Sequence, residues 1–123
     1  MVKQLSRADR LQRMLEDLKE QSTDIRGALL VTDNGLVVAA VMEDAEQFGA
    51  IAANLFDVSR KASQRLGQGD VGRVVIDAEQ GTIVVFPAGE HVSLTAVVDK
   101  DAKLGLILQL MGRATPRIVE MML

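Results

Sequence analysis

The chain has 123 residues, 48% hydrophobic and 25% charged, a balance that predicts one packed, water-soluble domain over residues 1–123. A net charge of −3 and an aromatic content of 2% argue against nucleic-acid binding, which uses basic surfaces and stacking rings. The absence of cysteine excludes disulfides and thiolate metal sites. No apolar run reaches the roughly 18 residues of a membrane helix, and the opening MVKQLSRADR lacks the apolar core of a secretory signal, so a cytoplasmic location is expected.

The first helix is predicted over residues 6–21. Ala8, Leu11, Met14, Leu15 and Leu18 recur at spacings of three and four, which places them on one face. Ser6 with Asp9 three residues later is an N-capping arrangement. Two strands follow, at 26–32 and 36–41, flanking Asp33-Asn34-Gly35. Asn-Gly between apolar runs is a hairpin signal, because the tight turn needs positive φ. Ala28, Leu29, Leu30 and Val31 are consecutive apolar residues, so cover on both faces of the first strand is expected.

The second helix is predicted over 44–66, with Asp44 and Gln47 as a capping pair and an acidic first turn. It carries two apolar bands. Phe48, Ile51, Leu55, Val58, Ala62 and Leu66 form a broad face suited to lie on a sheet. Ala45, Gly49, Ala52, Ala53, Phe56 and Ser63 form a second, small-residue band. Two apolar faces imply two packing partners, and the small-residue band is assigned to a second chain. The alternative is that alanine simply serves as a helix former on a solvated face.

Gly67-Gln68-Gly69-Asp70 ends this helix. Strands are then predicted at 71–77, 82–87 and 91–98. Their short connections require an antiparallel meander, and Pro87 at a strand end is tolerated. Asp99–Asp101 is expected to cap a last helix over 102–113, and Thr115-Pro116 to break or restart it. The apolar tail RIVEMML is expected to dock, on its own protomer or on a partner. The fold class is α+β: a single antiparallel sheet of about five strands with helices on its faces, in the order α-β-β-α-β-β-β-α.

No residue constellation points to an enzyme. His91 is the only histidine and is read as a surface or turn residue; Ser93, two positions away, makes no triad with it. Gly67-Gln68-Gly69 follows a helix and precedes a strand, the reverse of a phosphate loop, and lacks its Lys-Ser/Thr. No cofactor and no metal are expected. Arg60, Lys61 and Arg65 cluster late in the second helix. They suit its C-terminal dipole and are also the expected partner-facing surface; Arg65 as an inserted catalytic finger is not favoured.

The element order, with Ile25-Arg26-Gly27-Ala28-Leu29-Leu30-Val31, Asp33-Asn34-Gly35-Leu36-Val37, the Ala-rich segment 47–53 and Leu104-Gly105-Leu106, resembles the Roadblock family of dynein light chains and bacterial small-GTPase regulators, whose fold is profilin-like. Each motif alone is weak, but their order covers almost the whole chain. The resemblance implies a homodimer in which third strands pair edge to edge and second helices pack side by side. The implied interface is Gly49, Ala52, Ala53, Phe56, Val71, Arg73, Val74, Val75 and Ile76. It further implies a non-enzymatic regulator or binding platform for a small Ras-like GTPase, with GTPase activation as one form. The alternative is a scaffold subunit of a motor, polarity or sensor-kinase complex without effect on GTP turnover. A ligand-sensing module ranks last, because pocket aromatics are lacking.

Overall fold

The protein is described by a computed structural model, which covers residues 5–123; residues 1–4, the start of the segment read for a leader, lie outside the described residues. The elements run α1 (Arg7–Gln21), β1 (Ile25–Thr32), β2 (Val37–Ala40), α2 (Ala45–Arg65), β3 (Val74–Ala78), β4 (Gly81–Pro87), β5 (Val92–Asp99) and α3 (Leu104–Met122). The strands form one antiparallel sheet in the order β2-β1-β5-β4-β3. The expected fold class is the one observed.

Alternation along β1 decides the layers. Ala28 and Leu30 face a core built with Leu11, Leu15 and Leu18 of α1 and Ile107, Met111 and Ile118 of α3. Leu29 and Val31 face the opposite side and pack with Ala52 and Ala53 of α2. Both faces of β1 are therefore covered, which is why its sequence shows no polar alternation. Ser6 caps α1 as expected, its Oγ accepting from the Asp9 N–H at 3.1 Å, although Ala8 is exposed rather than part of the buried face.

The β1–β2 turn uses less positive φ than expected. Gly35 N–H donates to the Thr32 carbonyl at 3.0 Å, and within the turn only Gly35 has positive φ, at 86°. Asp33 and Asn34 occupy an ordinary turn and Gly35 the left-handed position that follows it, as in three-residue hairpins. At the end of α2, Gly67 has φ 70°. Its N–H donates to Gln64 and that of Gln68 to Ser63, at 3.1 and 2.8 Å, which closes the helix in a Schellman motif.

Four local expectations are corrected. Asp44 does not cap α2 through its side chain; it takes a left-handed conformation (φ 56°) without a cap hydrogen bond. Asp99–Asp101 does not cap α3, which starts after Lys103; Asp99 instead pairs with Arg26 at 3.3 Å. Pro116 does not end α3, which runs through it to Met122. The ring lies on the exposed side, while Ala114, Thr115 and Ile118 anchor the same turn in the core, so packing outweighs the lost backbone bond. The apolar tail thereby docks on its own protomer, with Arg7 Nη2 donating to the Leu123 carbonyl at 3.2 Å. Finally, β3 begins at Val74, not Val71. Val74 stands opposite Val85, so that register would put Gly72 opposite Pro87, which has no N–H to offer.

Candidate functional site

The two bands of α2 are placed the opposite way round from the sequence expectation. Ala52 and Ala53 are buried against Leu29 and Val31. Gly49 is buried as well: a β-carbon there would stand 3.0 Å from both the Gly35 carbonyl oxygen and a Val37 methyl. Gly49, Ala52 and Ala53 are thus covered by their own sheet, whereas the sequence reading turns this band toward a second chain. The reason is the close approach of helix to hairpin. Gly35 itself would carry a β-carbon only 3.1 Å from the Ala50 Cα, so this side of the helix admits little beyond glycine and alanine.

Phe48 of the broad band packs against the Leu29–Val31 cluster, but the larger residues that follow it point away from the sheet. Ile51 is 61% exposed, Val58 54% and Leu66 74%; Leu55 is half-buried and Ala62 exposed. Spaced 51-55-58-62-66, they form a continuous apolar stripe along the outer side of α2. Its spacing was visible in the sequence, but its direction was not. Phe56 is half-buried between the two faces, with the Arg60 guanidinium 5.8 Å from its ring centroid, a cation–π distance.

β3 forms one edge of the sheet. Val75 is exposed, whereas Val74 and Ile76 are half-buried on the α2 side. Val71 and Arg73 lie outside the strand, Val71 half-buried and Arg73 exposed. The opposite edge, β2, is treated differently. Gln12 of α1 donates from Nε2 to the Ala40 carbonyl at 2.7 Å and accepts at Oε1 from the Ala40 N–H at 3.1 Å. Nothing in the sequence pattern signalled this role for Gln12.

An open cleft of about 500 Å³ lies where the C-terminal half of α2 meets the hairpin tips, lined by Phe56, Arg60, Gln64, Val71, Glu90 and His91 among others. His91 Nδ1 lies 2.8 Å from Asp33 Oδ2, and the Asp33 N–H donates to the His91 carbonyl at 2.9 Å. His91 is thus an exposed tie between two turns, while Ser93 is buried. Among the described residues no group of three or more acidic, histidine or cysteine side chains is placed to hold a metal, and no helix is long and apolar enough to cross a membrane.

The late-α2 basic cluster is partly engaged. Asp57 pairs with Lys61 Nζ at 2.9 Å and with Arg60 Nη2 at 3.3 Å. The hydrogen bond from Lys61, and then that from Arg60, hold the Asp57 carboxyl below the usual aspartate range. Arg65 makes no ion pair among the described residues. The arrangement as a whole is an apolar stripe with a basic end on the helix that covers β1 and β2, and an open strand edge at β3.

The Roadblock/LC7 domain model matches residues 11–99. The uncharacterized protein MJ0310 of Methanocaldococcus jannaschii is 32% identical over 114 residues, covering 90% of this chain and 98% of that protein. Among solved structures, Myxococcus xanthus MglB superposes with a TM-score of 0.87 at 13% identity, over 99% of this chain and 94% of that one. MglB in a tetrameric arrangement gives 0.85 at 23% identity, over 98% and 93%. These structural likenesses are of fold. From the domain match and the archaeal relative, the chain belongs to the Roadblock/LC7 family.

Proposed function

We propose that this protein is a homodimeric, non-enzymatic binding platform for a small Ras-like GTPase, biasing the conformation of the GTPase switch region and so its rate of hydrolysis. Two observations carry the proposal: the outward apolar stripe of α2, the helix that covers β1 and β2, and the open edge of β3 at the other end of the sheet. A stripe of Ile51, Leu55, Val58 and Leu66 left in water is what an interaction surface requires, and an open strand edge is a liability that pairing removes. In this reading two copies pair through β3, with Val74, Val75 and Ile76, and bring their α2 stripes together. Phe56, with Val71 and Arg73 in the connection before β3, borders that contact. Arg60, Lys61 and Arg65 flank it and face the GTPase. The Roadblock/LC7 membership supports a regulatory or adaptor role, and MglB's tetrameric arrangement supports self-association.

The second reading is a scaffold subunit that binds without altering GTP turnover; it is favoured by the pairing of Arg60 and Lys61 with Asp57, which leaves fewer free cations on this face to act on a bound nucleotide. Light scattering on the purified chain tests the dimer, and a monomeric mass at micromolar concentration would remove it. Phosphate release by a Ras-like GTPase of the same genome, with and without the chain, separates the readings. Faster release supports regulation; binding with unchanged hydrolysis and exchange supports the scaffold.

A further inference from the structure

The sheet has two edges, and only one of them is closed. In the β1–β2 pairing Leu29 stands opposite Ala40, and the bond beside this pair runs from the Val41 N–H to the Ala28 carbonyl. In an antiparallel ladder that geometry turns the N–H and C=O of Ala40 itself away from β1, toward the free edge. These are the groups a further strand would use. Both are taken by the side-chain amide of Gln12, at 2.7 and 3.1 Å.

A primary amide offers a donor and an acceptor side by side, as a strand's peptide groups do. Gln12 therefore occupies the place of a neighbouring strand. It is held there by its sequence neighbours, because Leu11 and Leu15 are fully buried in the core beneath α1. The register shift between Leu30 and Val31, which leaves one extra β2 residue in the pairing, further disfavours addition to this edge. β3, by contrast, pairs with β4 without interruption from Val74 to Ala78, and no side chain bonds to its backbone among the described hydrogen bonds.

We propose that Gln12 is a specificity residue for assembly: it closes the β2 edge to a second copy of this chain and so confines strand pairing to β3. The proposal rests on the reading of β3 as the pairing edge. With both edges open, pairing at β3 and pairing at β2 alternate, and the sheet runs on as a filament. With β2 closed, one two-fold contact completes the assembly.

The test is the mass of the full chain by light scattering and sedimentation over rising concentration, for the wild type and Gln12→Met. Methionine keeps the length and apolar stem but cannot donate to Ala40. Backbone amide exchange at Ala40 is followed in parallel. The wild type is expected to hold one mass. Gln12→Met is expected to grow at least about twofold in mean mass with concentration, with the Ala40 amide protected in the larger species. A folded Gln12→Met that keeps the wild-type mass overturns the proposal, as does growth with Ala40 freely exchanging. If the methionine variant does not fold, Gln12→Asn, whose amide is one methylene too short, is read by the same criteria. A monomeric wild type would overturn the β3 dimer alone, because the comparison rests on growth of the variant over the wild type.

Discussion

The carbonyl oxygen of Gly35 lies 3.0 Å from where a β-carbon on Gly49 would project, which fixes the β1–β2 turn directly on α2. Gly49→Ala sets two effects against each other. Alanine improves helix propensity by about 1 kcal/mol, but its methyl must displace a backbone carbonyl and a Val37 methyl, an overpacking cost of about 1–3 kcal/mol. A net destabilisation of about 1 kcal/mol is expected in urea denaturation. A neutral or stabilising result would mean that helix and hairpin are less tightly joined than this contact requires.

The two sides of α2 should respond oppositely to a charge. Val58→Asp, on the exposed stripe, is expected to leave the melting temperature of the protomer nearly unchanged while shifting light-scattering mass from dimer to monomer. Ala52→Asp, at a position with no exposure, buries an unpaired carboxylate and is expected to cost about 3 kcal/mol or more, by loss of folded circular dichroism. If Val58→Asp retains the dimer mass, the stripe is not the contact.

Pro116 sits inside α3 on its exposed side. Replacement with alanine restores an N–H to the helix ladder and removes the steric conflict with the preceding turn. A stabilisation of about 1–3 kcal/mol is expected, seen as a higher thermal midpoint. A lower midpoint would show that proline at this position is needed for docking Ile118.

Asp57 contributes to stability in a pH-dependent way. Its carboxyl is held below its ordinary range by Lys61 and then by Arg60. A depressed folded-state value stabilises the protein above the unfolded-state value, and that contribution is lost as pH falls through the folded-state value. Asp57→Asn is therefore expected to lower the urea midpoint slightly at neutral pH, and the difference from wild type should vanish in acid below the aspartate range. The effect is small because the pairs lie at the surface, where water and salt screen them. A difference that grows in acid would contradict the assignment.

Much of the architecture was legible from local chemistry. The spacing of Leu11, Met14, Leu15 and Leu18, the turn glycine at Gly35 and the unbroken apolar run of β1 each depend on residues close in sequence, and each identified its element. The boundaries that failed depend on distant partners. β3 starts late because Pro87, on the neighbouring strand, cannot pair with the segment before Val74. Pro116 is tolerated because Ile118 and Met111 are already buried in a core made by other elements.

The candidate site divides in the same way. The sequence by itself determined that α2 has two apolar bands and that one of them lies on the sheet. Only the tertiary structure decided which, because helical periodicity carries no information about how near the sheet will come. The closeness of Gly35 to Gly49 turned the small band inward and sent Ile51, Val58 and Leu66 outward. The closure of β2 by Gln12 lay equally beyond periodicity. A glutamine at the margin of a helix is unremarkable until folding brings it, across 28 residues of chain, against the one backbone edge whose hydrogen bonds it can complete.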